Sequence, residues 1–333
     1  MIILSVETSC DETAVALVRD GREVLTDQIF SQADLHAVYG GVVPEIASRS
    51  HAEVISYLAQ RALDTTGVSR RDIGAVAVTY APGLIGALLV GVNFAKAAAL
   101  ALNVPLVPVH HIRGHIAANY LAFPELEPPF LCLAISGGNT MLVDVRGYTD
   151  MRVLGATRDD AAGECFDKTA RVLGLPYPGG KPLDELSQGG DDRKYPLPIG
   201  HVEGMPYEMS FSGLKTAVIN LVHTAEQRGE EIDRAALAAS FCRAVSESLV
   251  PRTMAAAKEL GYGKIAVAGG VAANSRIRRD FAAAAERSGD RLYIPPLRLC
   301  GDNAAMIGSQ GYYEFLAGAR AGADLNACAT MEL

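Results

Sequence analysis

Apolar positions along this chain gather into short runs closed by polar turns, and one arrangement of them occurs twice. Ile2-Ile3-Leu4 opens an apolar run that ends in Glu7-Thr8-Ser9-Cys10-Asp11-Glu12-Thr13; a second run, Ala14 to Val18, follows, with a turn at Gly21 and a third run from Val24 to Phe30. Runs of this length between polar turns predict β-strands. Phe130 to Ile135, the turn Ser136-Gly137-Gly138-Asn139-Thr140, Met141 to Val145 and a turn at Gly147 repeat the unit, beginning at residue 130 instead of residue 2. Self-similarity on that scale predicts two like lobes.

Helical patterns lie between and after the copies. Ile46 to Thr66 reads as a helix and Ala75 to Thr79 as a strand; Pro82-Gly83 turns into an Ala-rich helix ending at Leu102, and Leu106 to Val109 is a strand. Beyond the second copy, Arg158 to Gly174 reads as helix and Pro176 to Gly190 as a loop dense in Pro and Gly. Met209-Ser210-Phe211-Ser212-Gly213-Leu214-Lys215 leads into another helix, and Ala235 to Leu260 is a long one. Lys264 to Ala268 is a strand broken by Gly269-Gly270, with a helix starting at Asn274. Leu292 to Ile294 is the last strand and Ala304 to Phe315 the last helix. Alternating strands and helices predict α/β layers. The expected division is a first lobe over 1–127, a second over 128–302, and a C-terminal helix, 303–333, packed on the first.

Composition narrows the class. At 333 residues, 49% hydrophobic and 20% charged, the chain holds enough apolar side chains for two ordinary cores and is unlike a disordered protein. The net charge of -8 argues against binding nucleic acid by bulk charge and leaves that task to a local patch, for which Arg276, Arg278 and Arg279 are candidates. Six cysteines form no C-x-x-C pair, so neither a zinc ribbon nor a disulfide framework is indicated, and a reduced, cytosolic setting is expected. Met1 runs directly into a strand, so no signal peptide is expected. Leu84 to Leu102 approaches membrane-span length, but Asn93 and Lys96 near its middle suit a buried core helix.

The densest candidate chemistry is Val109-His110-His111-Ile112-Arg113-Gly114-His115. His111 and His115 stand four apart, which on a helix places both imidazoles on one face, one turn apart. Such a pair can grip a metal but is half a site, and the alternative is a His-rich helix start that binds nothing. His110 projects to the side, toward a packing or orienting role. A His-Glu-x-x-His protease needs a Glu directly after the first His, and Ile112 stands there. Ser136, Gly137 and Gly138 suit a phosphate because small residues expose their N–H groups, although Gly-Gly-Asn also makes an ordinary hairpin turn. Gly269-Gly270 is either a nucleotide approach or a plain turn. Asp11 and Glu12 are a base, a metal-binding pair or a solvated turn. Asp167 and Asp184 flank a Gly-rich loop and suit ribose hydroxyls. Asp302 precedes an apolar helix, the place of an N-cap. Neither a Walker loop nor a G-x-G-x-x-G after a strand is present.

Taken in order, Glu7-Thr8-Ser9-Cys10-Asp11-Glu12-Thr13, Pro82-Gly83-Leu84, His110-His111 with His115, Ser136-Gly137-Gly138, Phe166-Asp167-Lys168, Pro178-Gly179-Gly180, Phe211-Ser212-Gly213-Leu214-Lys215, Gly269-Gly270-Val271 with Asn274, and Cys300-Gly301-Asp302-Asn303 span nearly the whole chain. In these motifs it resembles the tRNA threonylcarbamoyladenosine transferases (TsaD type), once labelled O-sialoglycoprotein endopeptidases. The resemblance implies a two-lobed actin-like ATPase (ASKHA) fold with a cleft between duplicated mixed-sheet lobes. It implies that Asp302 joins His111 and His115 on one divalent metal, iron first and zinc second. ATP, ADP or threonylcarbamoyl-AMP would be held by Ser9, Ala134, Ile135, Ser136, Gly137, Gly138, Asn139, Asp167, Gly180, Asp184, Gly269, Gly270 and Asn274. The implied reaction carries a threonylcarbamoyl group from its adenylate to the exocyclic amine of the adenosine 3′ of the tRNA anticodon, with Asp11 or Glu12 as base. Implied partners are tRNA, a paralogous actin-like subunit (TsaB type), a small ATPase (TsaE type) and an adenylate-forming synthase (TsaC type), all away from any membrane. Many relatives carry Glu where this chain has Arg113, which puts a basic role for that position in doubt. The rival readings are a metal-dependent glycoprotease and a non-catalytic actin-like nucleotide-binding scaffold.

Overall fold

Alternation in the first copy builds a mixed sheet with helices on both faces. In the computed structural model, which describes residues 1–333, the strands β1 (Ile2–Glu7), β2 (Glu12–Arg19), β3 (Glu23–Ser31), β4 (Ile73–Ala81) and β5 (Leu106–His110) lie in the order β3-β2-β1-β4-β5. β1 pairs antiparallel with β2 and parallel with β4, and β5 is parallel to β4. The helices are α1 (Ala33–Ala37), α2 (Pro44–Thr66), α3 (Ile85–Leu102) and α4 (His111–Ala122). Leu4 and Val6 point to one face of the sheet, where Ile55, Leu58 and Val92 of α2 and α3 cover them. Ile3 points to the other face, against a layer that includes Ala118 of α4. Each such aliphatic side chain taken fully out of water contributes roughly 1.5–3 kcal/mol. α3 is long and apolar enough to cross a membrane, and its Ala87, Leu88, Gly91, Val92, Ala95 and Ala99 are buried.

The second copy repeats the topology. β6 (Phe130–Ile135), β7 (Thr140–Val145), β8 (Met151–Ala156), β9 (Lys264–Ala268) and β10 (Arg291–Tyr293) lie in the order β8-β7-β6-β9-β10, which is the first order with β6 in the place of β1. Its helices are α5 (Ala162–Val172), α6 (Gly180–Ser187), α7 (Ser212–Arg228), α8 (Arg234–Leu260) and α9 (Ser275–Ser288). The last helix, α10 (Ala304–Leu316), returns to the first sheet. The chain divides into one unit of residues 1–128, 146–151 and 295–333 and another of 129–145 and 152–294. Residues 295–302, assigned from sequence to the second lobe, therefore belong to the first unit.

Four local readings are corrected. The stretch 176–190 is not all loop, because α6 forms within it: Pro182 falls in the first turn, where the missing N–H has no partner to lose, and Leu183 is fully buried in a helix packed on α8. The helix expected from Arg158 starts at Ala162, since Thr157 and Arg158 donate their N–H groups to Thr140 and Met209 instead. β8 shows no clean alternation and went unread. The final helix stops at Leu316 and does not run to 333; Gly318 takes φ +90° and the rest is an extended strap, with Ala321 N–H on Leu106 O and Cys328 N–H on Tyr80 O, both 2.9 Å.

α10 sits unusually close to its neighbours. A Cβ on Gly308 would lie 2.6 Å from Val18 Cγ2, one on Gly311 2.5 Å from Ala77 Cβ, and one on Gly114 of α4 2.6 Å from Ile307 Cδ1. Glycine at these three positions lets α10 nest onto the sheet and against α4. The segment that carries Asp302 comes with it.

Candidate metal centre and nucleotide-binding turn

The β5–α4 junction sets the His cluster. His110 has extended backbone and its Nδ1 accepts the Ile112 N–H at 3.2 Å, which makes it the N-cap of α4; its Nε2 lies 3.3 Å from Met331 O, so that nitrogen carries the hydrogen. Burial pushes His110 down to about 4. The cap starts the helix at His111, and one turn later His115 presents its ring to the same side, with centroids 4.6 Å apart. Asp302 Oδ1, just before α10, lies 3.6 Å from His111 Nε2 and 3.1 Å from His115 Nε2. One ligand atom from each of the three falls within 4.8 Å of the others. His115 is buried, its Nδ1 without a hydrogen-bond partner and its Nε2 turned to the Asp302 carboxylate. Two buried imidazoles that turn Nε2 toward one carboxylate fit a metal-ligand set of two nitrogens and one oxygen.

Charge at the centre points the same way. Burial raises Asp302, but His111 and His115 outweigh it and hold the carboxyl at about 2. Burial lowers His111, yet Asp302 and Glu7 lift it to about 9. Burial likewise raises Glu7, and His111 brings it below the ordinary carboxylate range. Without a metal, a proton on His111 offsets one of the two carboxylate charges; a divalent cation offsets both and releases that proton. Glu7 closes β1, and the glycines that follow the cis Ala81–Pro82 bond hold its turn in place. Leu84 N–H donates to Ser9 O at 2.8 Å, and a Cβ on Gly83 would meet Ser9 O at 2.6 Å. Ser9 is thereby fixed with Oγ 3.2 Å from His111 Nδ1. Asp11 is buried and Glu12 opens β2, its Oε1 accepting from Ser31 Oγ at 3.0 Å. Burial, the Asp302 charge and Asp11 push Glu12 up to about 9.

The second unit assembles the other predicted residues. Ala134 and Ile135 end β6, buried; Ser136 N–H donates to Asn139 O at 2.8 Å to close the turn, and Gly137 and Gly138 are exposed with open space where a Cβ would be. The first turn of α5 docks onto it, with Gly163 N–H on Ser136 O at 3.2 Å and Glu164 N–H on Gly137 O at 3.1 Å. Gly269, at φ +93°, backs onto the same turn, since a Cβ there would lie 2.3 Å from Ile135 O, and Gly270 is open. Gly179 N–H donates to Asp167 Oδ1 at 2.8 Å, and Gly180 begins α6 with free space at its Cβ position. Asp184 accepts from Asn274 Nδ2 at 3.0 Å, Ser275 Oγ at 2.8 Å and Ser275 N–H at 3.1 Å, while Asn274 caps α9. Gly137, Gly138, Gly180 and Gly270 thus leave open backbone beside the α6 start, a setting that attracts anions, while the α5 start spends its N–H groups on the turn and on Thr140.

A family model described as tRNA N6-adenosine threonylcarbamoyltransferase matches residues 23–309. The chain belongs to that family. Curated members bearing that name include one from Moorella thermoacetica, 52% identical over 99% of this chain and 97% of its own length, and one from Clostridium botulinum, 49% identical over the same shares. The transferase thus acts on the N6 of adenosine in tRNA. Solved structures confirm its actin-like fold: component A of the (R)-2-hydroxyglutaryl-CoA dehydratase of Acidaminococcus fermentans (TM-score 0.54, 15% identity, 94% of this chain and 98% of that one) and HypF of T. kodakarensis (TM-score 0.61, 15% identity, 95% and 48%).

Two expectations about charge change. Arg276 is tied to Asp192 and Asp280, and Arg278 Nε donates to Ala272 O, which leaves Arg279 as the most exposed member of the expected basic patch. Arg113 pairs with Glu314 of α10 at 2.8 Å, so it belongs to the α4–α10 contact. Glu7 was missed as a site residue. The available signal was a carboxylate closing a strand apolar but for Ser5, where burial demands a partner.

Proposed function

We propose that this transferase moves the threonylcarbamoyl group from threonylcarbamoyl-adenylate to the exocyclic amine of the adenosine 3′ of the anticodon, in tRNAs reading codons that begin with A. The observation that carries the reading is the convergence of His111, His115 and Asp302 in a chain of this family. His111, His115 and Asp302 would hold one divalent ion, Fe(2+) first and Zn(2+) second on the donor set. When bound, that ion supplies Lewis acidity toward the donor carbonyl. Gly137 and Gly138 of the Ser136–Asn139 turn and the α6 start supply backbone N–H groups for adenylate phosphate, stabilising the charge of the departing AMP. Asp167, Gly180, Asp184, Gly269, Gly270 and Asn274 shape the rest of the nucleotide site.

Asp11 and Glu12 act as one acid–base pair. Asp11 or Glu12 is the general base that takes up the amine proton. An acidic transferase with Arg276 and Arg278 already engaged needs help to hold a polyanion. An actin-like paralogue, a small ATPase and an upstream adenylate-forming enzyme are the partners assigned, in the cytoplasm. The test is His111→Ala, assayed by nucleoside analysis of tRNA and by ATP binding. Modification is lost and nucleotide binding retained; unchanged modification refutes the metal role.

A further inference from the structure

We infer that Glu7 is a positioning residue of the metal centre, a buried carboxylate that fixes His111 through its Nδ1–H and so turns the Nε2 lone pair toward the ion. The inference rests on the metal reading of His111, His115 and Asp302. Glu7 is 0% exposed at the end of β1. Its Oε1 accepts the Ser9 N–H at 2.5 Å; its Oε2 accepts the Thr79 hydroxyl and lies 3.3 Å from His111 Nδ1. Its one ion-pair partner is that imidazole.

An ionised carboxylate accepts and cannot donate, so the hydrogen between Glu7 and His111 sits on Nδ1. Nε2, on the far side of the ring and facing Asp302, is then the ligand atom once its proton leaves. Metal-bound histidines are commonly oriented by a carboxylate in this way, which fixes the tautomer and raises the basicity of the ligating nitrogen. The geometry also distinguishes the two imidazoles. Glu7 meets His111, whereas His115 turns its Nε2 to Asp302 Oδ1 at 3.1 Å and leaves Nδ1 without a partner, so Glu7 acts on His111 alone. With both imidazoles neutral as ligands, a divalent cation brings the two negative charges of Glu7 and Asp302 to zero. A buried carboxylate whose only cationic partner is an imidazole is costly in a metal-free fold and is compensated when that cation is present. Thr79 from β4 and Ser9 from the turn hold Glu7 from two other elements, so the carboxylate has no freedom to follow a misplaced ring.

The test titrates the metal-free full chain with Co(2+) as an optical probe, comparing wild type, Glu7→Gln, Glu7→Asp and His111→Ala, with the imidazole nitrogens followed by NMR. Glu7→Gln is expected to weaken Co(2+) about 10- to 100-fold, to alter the visible band of the bound ion and to mix the His111 tautomers, while the His115 tautomers stay as in wild type. Glu7→Asp keeps the charge but draws it back from Nδ1, and is expected to do the same while remaining folded by circular dichroism. Wild-type Co(2+) affinity in either Glu7 variant, with His111→Ala abolishing binding, overturns the inference and leaves the metal reading intact. Wild-type affinity in His111→Ala overturns the metal reading itself.

Discussion

Gly163→Ala tests whether the phosphate turn is built on contact between α5 and β6. The added Cβ would lie 2.4 Å from Ser136 O and 2.7 Å from Gly137 Cα, both backbone atoms that cannot rotate aside. Restoring ordinary contact at about 3.4 Å requires the helix start and the turn to separate by about 1 Å. At that separation the Gly163–Ser136 and Glu164–Gly137 hydrogen bonds, now 3.2 and 3.1 Å, are lost. Two such bonds are worth about 1 kcal/mol each and the overpacking costs roughly 1–3 kcal/mol more. Alanine returns about 1 kcal/mol through its better helix propensity. The net expectation is a loss of about 2–4 kcal/mol in urea unfolding, with ATP affinity falling at least tenfold because the turn no longer aligns its N–H groups. Stability within about 0.5 kcal/mol of wild type together with unchanged ATP affinity would refute the reasoning.

Two further outcomes concern charge. Burial pushes Asp27 up to about 7 although it accepts the Ala304 N–H at 3.2 Å. Its folded value lies above the unfolded 3.8, so its contribution is full below pH 4 and is lost as pH rises through 7; relative to Asp27→Asn, wild type is expected to lose about 2–4 kcal/mol between pH 4.5 and pH 8. Paired melts at the two pH values check this, and a pH-independent difference counts against it. Arg276→Ala is expected to destabilise by roughly 1–3 kcal/mol through the loss of Asp192 and Asp280, while the salt dependence of tRNA binding stays as in wild type. A slope shallower by about 0.9 would instead mean that Arg276 meets a phosphate.

Both sheets were legible because strand period and polar turns are local properties, and the duplicate copies reinforced each other. α6 and β8 were not: one is a helix whose first turn looks like a loop, the other a strand without alternation. The His111–His115 pair could be placed by helical periodicity alone, whereas nothing in spacing connects either residue to Asp302 or Glu7. Asp302 was reached only through the family resemblance. Glu7 lay inside a quoted motif, its role unread, because a buried carboxylate declares its partner only once Thr79, Ser9 and His111 are seen around it.

By itself, the order of residues determined most strands, most helices, the helical His111–His115 spacing and a Gly-rich turn fit for an anion, since each depends on neighbours within a few positions. Tertiary structure decided which distant residues share the centre. Glycines 114, 308 and 311 let α10 lie against α4 and the first sheet, and that close packing delivers the Asp302 carboxylate to two imidazoles from a remote part of the chain. Close packing of this kind depends on shape and burial summed over several elements, which no local pattern encodes.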